Sequence, residues 1–193
     1  MHDILQIYDS ASIMFTATRL HLGAYYFFSS RSNMNLSGLI EVYCLACSFV
    51  EFIQARDRQD NYALYLSEQY YRTLLLAAIT ILRECRSPEL KSTIDCRLGE
   101  QAYFAAIQIL KKRVLKNNDL NAQMATILSQ LWQSQRVFRQ QDGSYDSLNV
   151  RVRSRGVRRK SFQLFLFLKV RESQDLANIN LVYFTFIGNG RSL

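Results

Sequence analysis

The sequence predicts an all-α fold: about five helices, followed by a short non-helical or strand-like tail at the C-terminal end. Three observations carry this. Apolar residues recur every three or four positions through most of residues 3–138, the period of a helix with one buried face. Punctuation is sparse: 1 Pro and 7 Gly in 193 residues suit long helices better than a sandwich that needs a turn signal every few residues. With 49% hydrophobic and 21% charged residues the composition is globular, and the length fits one domain with a core.

The first helix spans Asp3 to Phe28, with a stripe of Ile4, Leu5, Tyr8, Ala11, Phe15, Thr18, Leu22, Tyr25 and Tyr26 expected to face inward. Ser29 to Asn33 is a polar loop. A second helix runs from about Leu36 to Gln54, presenting Leu39, Ile40, Tyr43, Ala46, Cys47, Val50 and Ile53, and the charged run Asp57 to Asn61 breaks the pattern. Glu68 to Cys85 is a third helix, apolar nearly all round its middle and therefore central, with Pro88 supporting the stop. The fourth runs from about Ile94 to Lys116. Its acidic residues come early and Lys111, Lys112, Arg113 and Lys116 late, as the helix dipole favours. Asn117, Asn118 and Asp119 offer caps for a fifth helix from Leu120 to about Phe138, buried along Leu120, Met124, Ile127, Leu128, Leu131 and Trp132. Asp142-Gly143 is a turn. Beyond Gly156, Phe162 to Leu168 and Leu181 to Ile187 have strand rather than helix character.

The net charge of +8 is local. Residues 1–150 hold 15 Lys/Arg against 14 Asp/Glu, while Arg151 to Lys160 (RVRSRGVRRK) alone adds six positive charges. A short basic block is most simply a solvated segment; a phosphate-tracking surface would spread its cations over a folded face. His2, Asp3 and Asp9 stand where a signal peptide needs a basic and then apolar start, so secretion is not expected. The runs Leu74 to Leu82 and Phe162 to Leu168 fall short of the ~20 residues that span a bilayer, so no membrane partner is expected.

Candidate chemistry is thin. Cys44 and Cys47 form a C-x-x-C pair with no second pair to complete a zinc site, and at i, i+3 on an amphipathic helix they read as small hydrophobes in the core. Cys85 and Cys96 stand isolated in the sequence. His2 is terminal, and His21 has no carboxylate or thiol three or four residues on to build a ligand set. With no Gly-rich phosphate loop, G-x-S-x-G or H-E-x-x-H, an enzyme is not expected, and no catalytic, metal, cofactor or nucleic-acid-binding residue is assigned. Tyr25 to Phe28 and Tyr70-Tyr71 offer aromatic groups to a pocket between helices, although such residues more often form core.

A resemblance adds what periodicity does not. Tyr71 to Cys85 (YRTLLLAAITILREC), Leu98 to Ile107 (LGEQAYFAAI), Leu115 to Asp119 (LKNND), Ile127 to Phe138 (ILSQLWQSQRVF) and Gln141 to Ser144 ahead of Arg151 to Arg155 follow one another in order. Together they resemble the C-terminal half of the middle homology region of fungal zinc binuclear cluster transcription factors, especially leucine-biosynthesis and weak-acid-response activators. The resemblance covers about residues 4–155. It implies part of an all-α regulatory domain in a nuclear protein that senses an effector or contacts transcriptional coregulators, or that packs against the rest of its own domain, with self-association as a further partner. DNA belongs to the full-length family, and so does zinc. The family's cluster needs six closely spaced cysteines against 4 scattered ones here, so neither function carries over to any position of this chain.

The resemblance implies two divisions: residues 1–155, a partial regulatory domain, and residues 156–193, an atypical tail. Val157-Arg158 is a dipeptide that a splice donor can encode and Ala177-Asn178 one that a fungal branch point can encode, so the tail reads as intron read-through. The rival readings are a free-standing helical small-ligand-binding protein and a gene fragment without function. The helical pattern ends before Gly156, and the intervening block of charges is hard to bury without partners. Truncation after Arg155 is therefore expected to leave helical content and thermal midpoint about unchanged by circular dichroism; loss of the helices would place the tail in the core.

Overall fold

The computed structural model describes residues 2–29, 31–112, 120–134, 137–139 and 143–148, with side chains from Ala11 onward other than those of Arg31, Leu120 and Asn121. Five α-helices make up the fold of this part: α1 His2–Gly23, α2 Leu36–Asp60, α3 Glu68–Cys85, α4 Cys96–Lys112 and α5 Leu120–Gln133. The expected all-α class is what the chain adopts. The basic block and the strand-like runs of the tail lie outside the described residues, as do the expected caps at Asn117 to Asp119.

Helix α3 matches its expected bounds and its expected place. A Ser67 cap, whose Oγ accepts from Tyr70 N–H at 3.4 Å, starts it, and Glu68 pairs with Arg72 one turn on at 3.0 Å. From Thr73 to Glu84 every residue is buried. Helices α1, α2 and α4 all pack against it, which is what a helix without a polar face demands. Helix α4 in turn carries α5, where Met124, Ile127, Leu128 and Leu131 are buried as the stripe foretold. The Tyr103 hydroxyl donates to the Leu128 carbonyl at 2.7 Å, and Trp132 stacks on Tyr103 with ring centroids 4.7 Å apart.

Helix α1 buries the opposite face from the one expected. Ile13, Ala17, Leu20 and Ala24 are buried, with Phe27 in the tight turn Ala24–Phe28 that ends the helix. Ala11, Phe15, Thr18, Leu22 and Tyr25 face solvent, Phe15 and Leu22 at 64% and 65% exposure. Both stripes keep the same three-and-four spacing about half a turn apart, so period cannot choose between them. Size can. Ala17 and Ala24 allow close approach to α2, and a Cβ on Gly23 would stand 2.3 Å from a Val42 methyl.

Helix α2 runs through the expected charged break to Asp60, stopping where Asn61 turns left-handed at φ 53. The run continues as helix because Asp57 is not a solvated breaker. It is buried, accepts from Ala63 N–H at 3.0 Å and pairs with Lys112 of α4, tying the turn Tyr62–Tyr65 to the bundle. At 25 residues α2 is also, by length and composition, long and apolar enough to cross a membrane, a signal the short apolar runs had hidden. Half of its apolar window is packed inside the bundle, as in a core helix.

Helix α4 begins at Cys96 instead of Ile94, because the Asp95 carboxylate accepts from Arg97 and Leu98 N–H and so caps the first turn. Helix α5 ends at Gln133, short of the expected Phe138. Phe138 instead enters a bridged turn in which Arg139 pairs with Tyr145, and Gly143 takes φ +81. This turn is held to α3 by Arg83, whose Nη1 donates to the Ser147 carbonyl at 2.7 Å and whose guanidinium lies 5.0 Å from the Phe138 ring centroid. Burial lowers Arg83 to about 10 against the pull of Asp146. Arg83→Ala is expected to cost about 3 kcal/mol, the scale for breaking a buried charged contact. A thermal midpoint equal to that of the parent chain would show that the turn does not depend on Arg83.

Candidate functional site

Among the described residues, a grouping of chemically active side chains lies where α2, the end of α3 and the start of α4 meet. Tyr43 of α2 is its centre. Its hydroxyl donates to the Asp95 carbonyl at 2.5 Å and sits against the thiols of Cys47 and Cys85. Cys85 closes α3 and Cys96 opens α4; each Sγ stands 4.0 Å from the other residue's carbonyl oxygen. Gly99 makes the approach possible, since a Cβ there would lie 2.4 Å from the Tyr43 oxygen and 2.7 Å from Cys85 Sγ. Only glycine fits between these groups without displacing one of them.

Local structure brings the ends of α3 and α4 together. Ser87 N–H donates to the Glu84 carbonyl at 3.0 Å, and the Ser87 hydroxyl accepts from Leu90 N–H at 3.3 Å, which folds the segment after α3 back on itself. Leu90 and Ile94 are buried beneath that turn and fix its direction.

The electrostatics follow from burial. The Cys47 thiol is pushed up to about 12, chiefly by burial and further by Glu51, Cys44 and Glu84, while its hydrogen bond with Tyr43 works the other way. Burial likewise raises Cys85, and Cys96 beside it adds to the effect. Tyr43 is raised by burial and by its thiol neighbours. Glu84 is fully buried beside this group, its two carboxylate oxygens find no hydrogen-bond partner among the described residues, and burial raises it well above the ordinary carboxylate range. Burial therefore favours the neutral forms of Tyr43, Cys47, Cys85 and Glu84.

The candidate residues of the sequence separate in the structure. Cys47 is buried, as expected of a small hydrophobe, but Cys44 is exposed, so the C-x-x-C pair does not share one environment. Cys85 and Cys96, which look isolated along the chain, are the thiols that meet. The signal that could have found them is positional: one cysteine ends a helix and the other begins the next, and the turn at Ser87 folds the connection from Arg86 to Asp95 back so that those ends meet. His21 is satisfied by Thr73 Oγ1 at 3.0 Å, and burial lowers it. Of the aromatic candidates, Phe27 and Tyr71 are core, Tyr26, Phe28 and Tyr70 pack partly against it, and Tyr25 is 59% exposed. Among the described residues no group of three or more His, Cys, Asp or Glu is placed to hold a metal ion.

Compared with protein-family models, with curated proteins and with solved structures, the chain matches none.

Glu84 supplies a test of the electrostatics. Its folded pKa is raised, so the folded state holds a proton that the unfolded chain releases above about pH 4.3, the ordinary glutamate value. Stability is then fully present below that pH and falls as pH rises towards the folded value. Glu84→Gln removes the titration. Its stability relative to the parent chain, measured by urea unfolding between pH 4 and 8, is expected to climb with pH by up to about 1.4 kcal/mol per unit. A pH-independent difference would mean that Glu84 is ionised in the fold.

Proposed function

We propose that the chain is a regulatory interaction module of a fungal zinc-cluster transcription factor, acting in the nucleus through coregulators or through the rest of its own regulatory domain. The observation that carries this reading is the ordered resemblance over residues 4–155. Three of its segments form one packed unit: Tyr71 to Cys85 is nearly all of α3, Leu98 to Ile107 lies within α4, and most of Ile127 to Phe138 lies on α5. A helical core assembled from the resembling segments is what such a domain needs, and it supports the reading without naming an effector.

The exposed stripe of α1 is a second support. Met14, Phe15, Leu22 and Tyr25 are each more than half exposed. Apolar side chains gathered on one helix face suit contact with another protein surface. The rival, a small-ligand carrier using the aromatic cluster as its pocket, draws less support, since Phe27 and Tyr71 are buried within the core. On the proposed reading neither catalysis nor a cofactor is needed in this chain, and sequence-specific DNA binding belongs elsewhere in the factor.

The experiment fuses the chain to an unrelated DNA-binding domain in yeast and reads a reporter. A change in reporter output of at least several-fold, in either direction and weakened by Phe15→Asp with Leu22→Asp, is expected. An inert fusion that accumulates as folded protein would overturn the regulatory reading. The isolated chain is also expected to bind DNA weakly and without sequence preference, with the binding lost steeply as salt rises; a selective complex in a mobility-shift assay at physiological salt would contradict this.

A further inference from the structure

We propose that Cys85 and Cys96 form a working dithiol, a site that closes to an intramolecular disulfide when the chain meets a hydroperoxide and that captures trivalent arsenicals across its two sulfurs. The placement is reciprocal. Each Sγ lies 4.0 Å from the other residue's carbonyl oxygen, and the two thiols interact directly, so both side chains occupy the junction of α3 and α4. Both residues are half-buried, close enough to the surface for a small oxidant to reach, whereas Cys47 is enclosed and Cys44 is alone on the exposed face of α2. The helix ends bearing the pair are already fixed by the Ser87 turn and by the Tyr43 hydrogen bond to Asp95, so little backbone ordering remains to be done when the bond forms.

The two thiols have different roles. Cys85 lies against Tyr43 and is held protonated by burial, which makes it the poorer nucleophile. Cys96, the first residue of α4, makes the initial attack. Its sulfur takes the near oxygen of the hydroperoxide as the O–O bond breaks; the proton of the Cys96 thiol passes to the departing oxygen, which leaves as an alcohol, or as water from hydrogen peroxide, and Cys96 becomes a sulfenic acid. The Cys85 sulfur then attacks the Cys96 sulfur. The S–O bond breaks, the departing hydroxide takes the Cys85 proton, and water leaves as the S–S bond forms. In sum two thiols lose two electrons and two protons to one peroxide bond. The arsenical reaction involves no oxidation: an arsenoxide exchanges its oxygen, released as water with both thiol protons, for two As–S bonds.

The consequence is mechanical. The bond would tie the last residue of the central helix to the first of α4 beside Gly99, where there is no spare space. Oxidation would thereby fix the α3–α4 junction and press on Tyr43.

The test uses the full chain. It is treated with one equivalent of hydrogen peroxide, its remaining thiols are blocked with N-ethylmaleimide, and tryptic peptides are mapped by mass spectrometry. Cleavage at Arg86 and Lys91 puts the two cysteines on separate peptides. The expected result is one linked pair joining Cys85 and Cys96, lighter by two hydrogens, with Cys44 and Cys47 alkylated. In a second arm one equivalent of phenylarsine oxide should shield the same two thiols from alkylation. Cys96→Ser should lose both responses and Cys44→Ser should keep both. Should Cys96→Ser fail to fold by circular dichroism, the two mappings on the parent chain decide alone. A Cys44–Cys47 link, links only between chains, Cys96 oxidised to sulfinic acid while Cys85 stays alkylatable, or no protection by the arsenical would each overturn the proposal.

Discussion

The complete burial of α3 is the constraint on which the rest of the structure depends. A helix with apolar residues on every side leaves no face for water, and its neighbours must wrap it. Helices α1, α2 and α4 do so, and α5 reaches the bundle through α4. The cost appears at the C-terminal end, where the sequence places Arg83 and Glu84 inside the same enclosure. An isolated charge there is expensive, and the two residues meet that expense differently. Arg83 keeps its charge and recruits the turn beyond α5, with Ser147, Asp146 and Phe138 around its guanidinium. For Glu84, burial shifts the balance towards the neutral, protonated form.

Much of this frame was legible in the sequence. The bounds of α3, its central place and the buried stripes of α2 and α5 follow from period, composition and one cap. Where reading failed, the deciding interaction was distant in sequence. The inward face of α1 depends on how closely Ala17, Gly23 and Ala24 let α2 approach, a matter of size and not of pattern. The length of α2 depends on Lys112, which turns Asp57 from a breaker into a buried partner. The end of α5 depends on Arg83, far upstream, drawing the following turn back to α3.

The thiols show the same limit more sharply. Local spacing favours Cys44 and Cys47, yet a three-residue step on a helix still places one residue at the edge of the buried face and the other within it, and the helix sends one to water and the other inward. The pair that meets is set by tertiary closure: a helix end, a turn tightened by Ser87, and a helix start. The connection from Arg86 to Asp95 is long enough to hold the ends apart, and the Ser87 turn with buried Leu90 and Ile94 is what brings them together.

The junction of α3 and α4 also explains why a tyrosine stands among the thiols. Two helices can approach this closely only if the side chain between them is absent, which Gly99 provides, and the space beside it must still be filled by something that tolerates a backbone carbonyl. A phenol meets both demands: its ring packs as core and its hydroxyl satisfies Asp95 at the exposed margin. The sulfurs complete the filling, being weak donors that cost little to bury. Packing alone accounts for Tyr43, Cys47 and Gly99. It does not require a second cysteine facing Cys85, because a serine, alanine or valine at the start of α4 would fill a half-exposed position as well. The reciprocal placement of Cys96 is the feature of this junction that packing leaves over, and it is the reason the reactivity of the pair is the property to examine.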